Sequence, residues 1–276
     1  MQIAEKAIWI IERHSEGELT LNRLAEACGV SRSHLAYAFG AAMRMPVMTY
    51  HRVRRLSEAA KTLAKGAPDI LAVALDAGYA SHEAFTRAFR DLFGLTPETV
   101  RERGSIDGLA LVEPIQPSAA SEDRLSPPRL AEEPALRIVG LAETCSFATT
   151  ITIAAQWQRF MPYYSAIEGK RGVPLGVSEA PDDEGQFRYV CATEVARLGD
   201  QPKELLAEEI PARTYAVFSH DAHVSALPKT YAAALNTALP ALGYSVADAP
   251  ILERHKESFD PRSGEGGVDL WIPLRL

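Results

Sequence analysis

The sequence predicts a multi-domain chain of two fold classes: an all-α N-terminal domain holding two helix-turn-helix units, then an α+β C-terminal domain of two pseudo-symmetric βαββ repeats. Three observations carry this. Hydrophobic spacing is helical before residue 105 and alternating after 128. The first half repeats itself at an offset of 49 to 50 residues, and the second half repeats itself more weakly. A chain of 276 residues is long enough for two domains, each with its own core. The expected boundaries are 1–104 and 129–276, with a linker at 105–128 where periodicity is lost and Pro, Ser and Ala collect.

In the first domain Ile3, Ala4, Ala7, Ile8 and Ile11 form one apolar stripe, and helices are expected at 21–27, 31–42, 47–64, 70–77 and 82–92. Ala25 is followed four positions on by Gly29, then Ser31, Leu35 and Phe39. Ala74 is followed in the same way by Gly78, then Ser81, Phe85 and Phe89. A small residue inside one helix, a Gly at a tight turn and a Ser capping the next helix is helix-turn-helix grammar, written twice.

Charge is divided unevenly. Residues 1–104 carry 14 Lys and Arg against 12 Asp and Glu, whereas residues 105–276 carry 15 against 24. Within 31–65, Arg32, Arg44, Arg52, Arg54, Arg55, Lys61 and Lys65 face Glu58 alone, a footprint suited to phosphates that ordinary surface solvation also explains. In the second unit, Ala84, Phe85, Ala88 and Phe89 are expected to turn inward. That leaves His82, Glu83, Thr86 and Arg87 outward as base-contact candidates, with Arg90 beside them. Arg87 suits guanine, Thr86 a thymine methyl, Glu83 a cytosine amine, and His82 either base or phosphate.

The run Gly78-Tyr-Ala-Ser-His-Glu-Ala-Phe-Thr-Arg-Ala-Phe-Arg-Asp-Leu-Phe-Gly-Leu-Thr-Pro97 resembles the AraC-family signature, and Arg55-Leu-x2-Ala59 fits its connecting helix. The resemblance covers about residues 5–103. It implies two recognition helices entering successive major-groove segments of double-stranded DNA. The first unit departs from the family: Ser33, Ala36 and Tyr37 stand at its outward positions, and Tyr37 replaces the usual Arg. The frequent Gly after this helix is Arg44, and the Tyr common near the end of the signature is Val100. Specificity is therefore expected to concentrate in the second unit, with Arg32, His34 and Arg44 serving phosphates and Arg54 a further phosphate candidate.

Beyond the linker, extended segments are expected at 135–141, 187–193 and 269–274 and helices at 154–168 and 227–238, in the order strand, helix, strand, strand at about 135–195 and again at 208–274. Leu175-Gly-Val-Ser-Glu179 falls in register with Pro250-Ile-Leu-Glu253. On the strand 250–256, Ile251, Glu253 and His255 share one face, opposite Leu252, Arg254 and Lys256. A carboxylate beside an apolar neighbour must be paired, protonated or reserved for a ligand, unless the strand is a solvated edge.

Phe259-Asp-Pro and Val268-Asp-Leu-Trp-Ile-Pro-Leu274, with Trp157-Gln-Arg-Phe-Met-Pro162, resemble the GyrI-like effector-binding domain over about 129–276. The resemblance implies a small, amphipathic or cationic organic effector held between the repeats, with Glu253 as its anionic anchor. Trp271, Trp157, Tyr164 and Phe259 are the candidate aromatic wall, and His255 stands where the family often has Tyr.

Other readings are weaker. The pair His220 and His223 is spaced so that the rings fall on opposite faces of a strand end, so no metal site is expected. Cys28, Cys145 and Cys191 are odd in number and far apart, which favours buried thiols over disulfides or zinc. No phosphate loop, nucleophile elbow or zinc-protease motif occurs, so neither a cofactor nor an enzyme is expected. Two alternatives stay open: a hydrolase using Glu253 on strained electrophiles, and a C-terminal domain that binds only a protein partner. Glu5 lies where a signal peptide needs basic residues and no apolar run approaches a membrane span, so a cytoplasmic regulator is expected, with RNA polymerase among its partners and no membrane.

Overall fold

A computed structural model describes residues 2–13, 19–114, 125–147, 149, 152–199, 201–260 and 263–275. The chain divides into two compact units, one of residues 1–7, 21–47 and 120–276, the other of residues 8–20 and 48–119. It passes between them within α1 (Ile3–Arg13) and at the start of α4 (Val47–Ala64).

The smaller unit is helical. After α4 come α5 (Ile70–Asp76), α6 (His82–Phe93) and α7 (Pro97–Arg103). Leu56, Leu63, Val73, Phe85, Phe89 and Val100 form its core. The rings of Phe85 and Phe89 lie 5.5 Å apart and those of Phe89 and Phe93 4.8 Å, so one face of α6 carries much of the packing. Ser81 caps α6 where the sequence places it, its side chain accepting from the Ala84 N–H at 3.2 Å, and Gly94 closes the helix in the left-handed region. Residues 105–114, expected to open the linker, lie against this unit: Leu109 and Leu111 pack on the core and the Val112 N–H donates to Ser57 Oγ at 3.0 Å. Residues 115–124 of the expected linker lie outside the described residues.

The larger unit holds α2 (Leu21–Cys28), α3 (Arg32–Met43) and a nine-stranded sheet. The turn between α2 and α3 is chemically the same as that between α5 and α6. Val30 N–H donates to Ala25 C=O at 3.0 Å and Tyr79 N–H to Ala74 C=O at 2.9 Å, around Gly29 (φ 76°) and Gly78 (φ 73°). This is why an Ala and a Gly four apart recur in the sequence.

The sheet comprises β1 (Arg129–Glu133), β2 (Leu136–Ser146), β3 (Lys170–Ser178), β4 (Gln186–Val195), β5 (Leu206–Ile210), β6 (Arg213–His220), β8 (Ile251–His255) and β9 (Val268–Arg275), with the short β7 (Ser245–Val246) on β9. Its order, β1-β6-β9-β8-β3-β4-β2-β5, is symmetric about the β8–β3 junction. The expected repeats are there: β2, α8 (Thr152–Ala166), β3 and β4 in the first, β6, α9 (Leu227–Ala233), β8 and β9 in the second.

Each repeat also receives a strand from the other, because β1 precedes β2 but pairs with β6, while β5 precedes β6 but pairs with β2. The two short strands, unexpected from the sequence, lock the halves together. At the junction Gly176 lies opposite Glu253 and Leu175 opposite Arg254, so the segments matched as repeat equivalents are direct neighbours. The helix of the second repeat runs from α9 into a π turn at Ala234–Ala238 and ends in Leu239–Ala241. All three cysteines are buried free thiols.

Candidate nucleic-acid and effector sites

On α6 the residues facing solvent are Glu83, Ala84, Arg87, Arg90 and Asp91, at helical spacing, so the two arginines share this face with two carboxylates. Ala84, expected inward, is exposed because Phe85 and Phe89 alone set the buried direction. His82 sits at the helix start with Nε2 2.9 Å from a carboxylate oxygen of Glu98 on α7, so its ring is already partnered. Thr86 turns its hydroxyl inward, where it meets no hydrogen-bond partner among the described residues. The carboxyl of Glu83 is held below the usual range by its backbone and Ser81 hydrogen bonds. Arg87 and Arg90 are exposed on this face and carry the donor groups that guanine and phosphate require.

Arg54, expected at a phosphate, lies inside the helical unit with 6% exposure. Its Nε and Nη2 donate to the two carboxylate oxygens of Glu12 at 2.8 Å each, and Nη1 donates to Val112 C=O at 2.7 Å. The fork is fully engaged in holding α1, α4 and residue 112 together, a structural task rather than a surface one. In return the guanidinium lowers the carboxyl of Glu12 below its ordinary range.

The first unit is a different case. Ser33, Ala36 and Tyr37, expected outward on α3, and His34, expected at a phosphate, are all less than 7% exposed. They pack against the sheet-bearing part of the same compact unit. Ser33 Oγ donates to Asp248 at 2.7 Å, Tyr37 Oη to Ser178 C=O at 2.7 Å, and His34 Nε2 bonds Leu235 C=O at 2.7 Å. Arg32, at the exposed start of the helix, pairs with Asp183 at 2.5 Å. Arg44 is exposed and closes α3 at φ 56°, in the left-handed region where a Gly is more usual.

The effector candidates divide between the two faces of the sheet. Glu253 is half-buried, and its carboxylate accepts from Tyr189 Oη at 2.6 Å and from Tyr231 Oη at 2.7 Å. Burial pushes its carboxyl pKa up, and the two phenol donors pull it part of the way back. Gly176 opposite Glu253 is the close approach that makes this possible: a methyl there would run into Tyr189 Oη and come within 2.9 Å of Glu253 Oε2.

Next along the strand, His255 stacks on Phe259 at 4.2 Å and meets Trp157 edge-on at 5.0 Å. Burial holds His255 down at about 4, so near neutral pH its ring is uncharged and serves as one more aromatic surface. Glu253 is thus held by two phenols, and His255, on the same face of the strand, adds a cluster of aromatic rings with Trp157 and Phe259.

Trp271 does not join them. It pairs across the ladder with Leu252, and the two-residue pleat puts that pair on the face opposite Glu253. There Arg254 and Arg129 lie over its ring at 4.7 and 5.0 Å, and it borders a cavity of about 380 Å³ with Arg171, Leu175 and Lys256. Tyr164 sits further along α8, its ring covered by Lys170 at 5.2 Å. Tyr189 and Tyr231, the direct partners of Glu253, were not among the expected residues. The one signal for them was the strand glycine at 176, which marks a close approach without saying by whom. His220 and His223 are joined through a ring-to-carbonyl contact at 3.1 Å, and no cluster of potential metal ligands occurs among the described residues. No described helix is long and apolar enough to cross a membrane.

Comparison with known proteins agrees with both halves. Residues 126–275 match the GyrI-like small molecule binding domain, and residues 24–103 match a helix-turn-helix domain. The transcriptional regulator BrlR of Pseudomonas aeruginosa is 30% identical over 53% of this chain, a match that spans 54% of BrlR. The right origin-binding protein of Escherichia coli is 23% identical over 99% of this chain and 98% of its own length. Among solved structures, SAV2435 bound to tetraphenylphosphonium aligns with 54% of this chain and 93% of its own, at 21% identity and a TM-score of 0.44. The chain therefore belongs to the GyrI-like small-molecule-binding family, with an AraC-type helix-turn-helix domain at its N-terminal side.

Proposed function

We propose that this protein is a ligand-responsive transcription regulator that reads double-stranded DNA mainly through α6 and senses an amphipathic organic cation at Glu253. The observation that carries the sensor half is the carboxylate itself, set between two phenols and beside a stacked wall of His255, Phe259 and Trp157. A half-buried carboxylate held by two neutral donors, with no cationic partner at hydrogen-bond distance among the described residues, is poised to accept a cation, because the incoming charge supplies what desolvation removed. The open arginine stripe of α6 supports the DNA half.

The effector acts by preferring one arrangement of the chain over another, and through that preference it shifts DNA binding or polymerase contact. Calorimetric titration of tetraphenylphosphonium, a lipophilic cation, into wild type and Glu253→Gln tests the sensor. Saturable binding lost in the variant supports it; absence of binding in both overturns it. Turnover of an electrophilic compound, abolished in Glu253→Gln, would instead favour the hydrolase reading.

A further inference from the structure

We propose that the sheet-bearing domain competes with DNA for α3, using acidic side chains where the duplex would offer phosphates. Arg32, Ser33, His34 and Tyr37, four residues of α3 suited to meeting a duplex, are engaged by this domain. Arg32, a phosphate-type cation, is held by Asp183, and Ser33 donates to Asp248. Tyr37 at the centre of the reading face donates to the Ser178 carbonyl. With Ser33, Ala36 and Tyr37 each under 7% exposed, a groove cannot reach this face until the cover lifts. The charge division of the sequence fits, since residues 105–276 carry 15 basic against 24 acidic side chains.

The contact joins polar pairs to buried apolar groups. Beside its apolar part, which includes Phe147 against Gly40 and the buried Leu235 and Val246, it is held by polar pairs. Besides those named, Ser31 Oγ donates to Val246 C=O at 2.6 Å, and Asn236 Nδ2 donates to Ala38 C=O at 2.9 Å. Asn236 reaches α3 from the π turn Ala234–Ala238, an irregularity that recurs at functional positions in helices.

The same helix carries Tyr231, one of the two donors to Glu253. A cation at Glu253 competes with that phenol, so a ligand there acts on the helix that covers α3; this last link rests on the effector reading above.

The test uses the full-length chain and duplexes selected from a random pool by the wild type. Asp183→Asn with Asp248→Asn removes the acidic cover and leaves α3 intact. The double variant is expected to bind DNA about fivefold more tightly at ~0.1 M salt, with a salt slope steeper by roughly one to two. Its hydroxyl-radical footprint should lengthen by about one helical turn, ~10 base pairs. A charge-matched control, Glu209→Gln with Glu257→Gln, should leave the footprint unchanged. Asn236→Ala, which cuts the cover from another side, serves if the double variant does not fold.

Unchanged footprint and slope in folded variants of both kinds would overturn the competition. Adding tetraphenylphosphonium separates the two proposals. Lengthening in the wild type that is absent in Glu253→Gln supports both. Lengthening in the Asp variants alone keeps the cover and removes the effector link. Cation binding without lengthening in any variant removes the cover and leaves the effector site standing.

Discussion

Replacing Glu253 with Gln should make the protein more stable and nearly blind to cations, and the two effects share one cause. In the fold, desolvation raises the carboxyl above its ordinary value, so the folded state holds a proton that the unfolded chain releases. By linkage, stability then falls as pH rises from the ordinary glutamate range through the raised folded value, and above it the carboxylate is a standing cost. Gln keeps the shape, accepting from one phenol and donating to the other oxygen, without the charge. Its expected gain is on the order of 1 kcal/mol, which for a unit of this size is about 2–4 °C in Tm.

The loss in binding is larger. A carboxylate about 4 Å from a ligand cation, at the effective dielectric of a partly buried site, contributes roughly 4 kcal/mol, close to a thousandfold in affinity. The aromatic contacts, about 0.5–2 kcal/mol each, survive the substitution. Calorimetry measures both quantities on the same two samples, as unfolding scans and as titrations with tetraphenylphosphonium. A variant that is destabilised, or that binds the cation as wild type does, would show that Glu253 is a structural carboxylate and not a ligand anchor.

Four further outcomes follow from named contacts. Arg87→Ala should cost ~1–3 kcal/mol in specific DNA binding and relax preference at one base position in a binding-site selection; unchanged preference would remove α6 as the reader. Arg54→Ala should leave the salt slope of DNA binding unchanged but destabilise the helical unit by about 1–3 kcal/mol in urea unfolding, because the buried guanidinium's hydrogen bonds to Glu12 and the Val112 carbonyl are lost. His255, held at about 4 against 6.5 for an ordinary histidine, should cost stability as pH falls from about 6.5 through 4, since the unfolded chain takes up its proton first; His255→Phe should flatten that part of the stability profile. Gly176→Ala drives a methyl into Tyr189 and Glu253, so it should weaken tetraphenylphosphonium binding at least tenfold while DNA binding persists, and unchanged binding would mean that the cation sits elsewhere.

Local chemistry was enough to write most of the scaffold. The doubled Ala and Gly turn is a short-range hydrogen-bond pattern, so it is legible wherever the residues stand four apart, and the caps at Ser31, Ser81 and Gly94 follow from the same kind of rule. Alternation along 250–256 likewise told which side chains share the face of Glu253, because the pleat has a fixed period. The same period, applied across the ladder, separates Trp271 from that face, but only the register of β8 on β9 says so. Tyr189 and Tyr231 lie 64 and 22 residues from Glu253, and no local pattern records which distant phenols a carboxylate will meet.

Arg54 shows the same limit from the other side. In the sequence it is one of seven basic residues in a row of surface candidates, and only the fold brings Glu12 to it from 42 residues away. The fate of α3 was the least legible of all. Ser33, Ala36 and Tyr37 mark a departure from a DNA-reading helix, yet the partner that explains them, the face bearing Ser178, Leu235 and Asp248, lies some 140 to 215 residues further on. Periodicity and capping act within a few residues and can be read directly. Pairing between distant surfaces depends on chain closure and on which burials are compatible together, and that the tertiary structure alone decides.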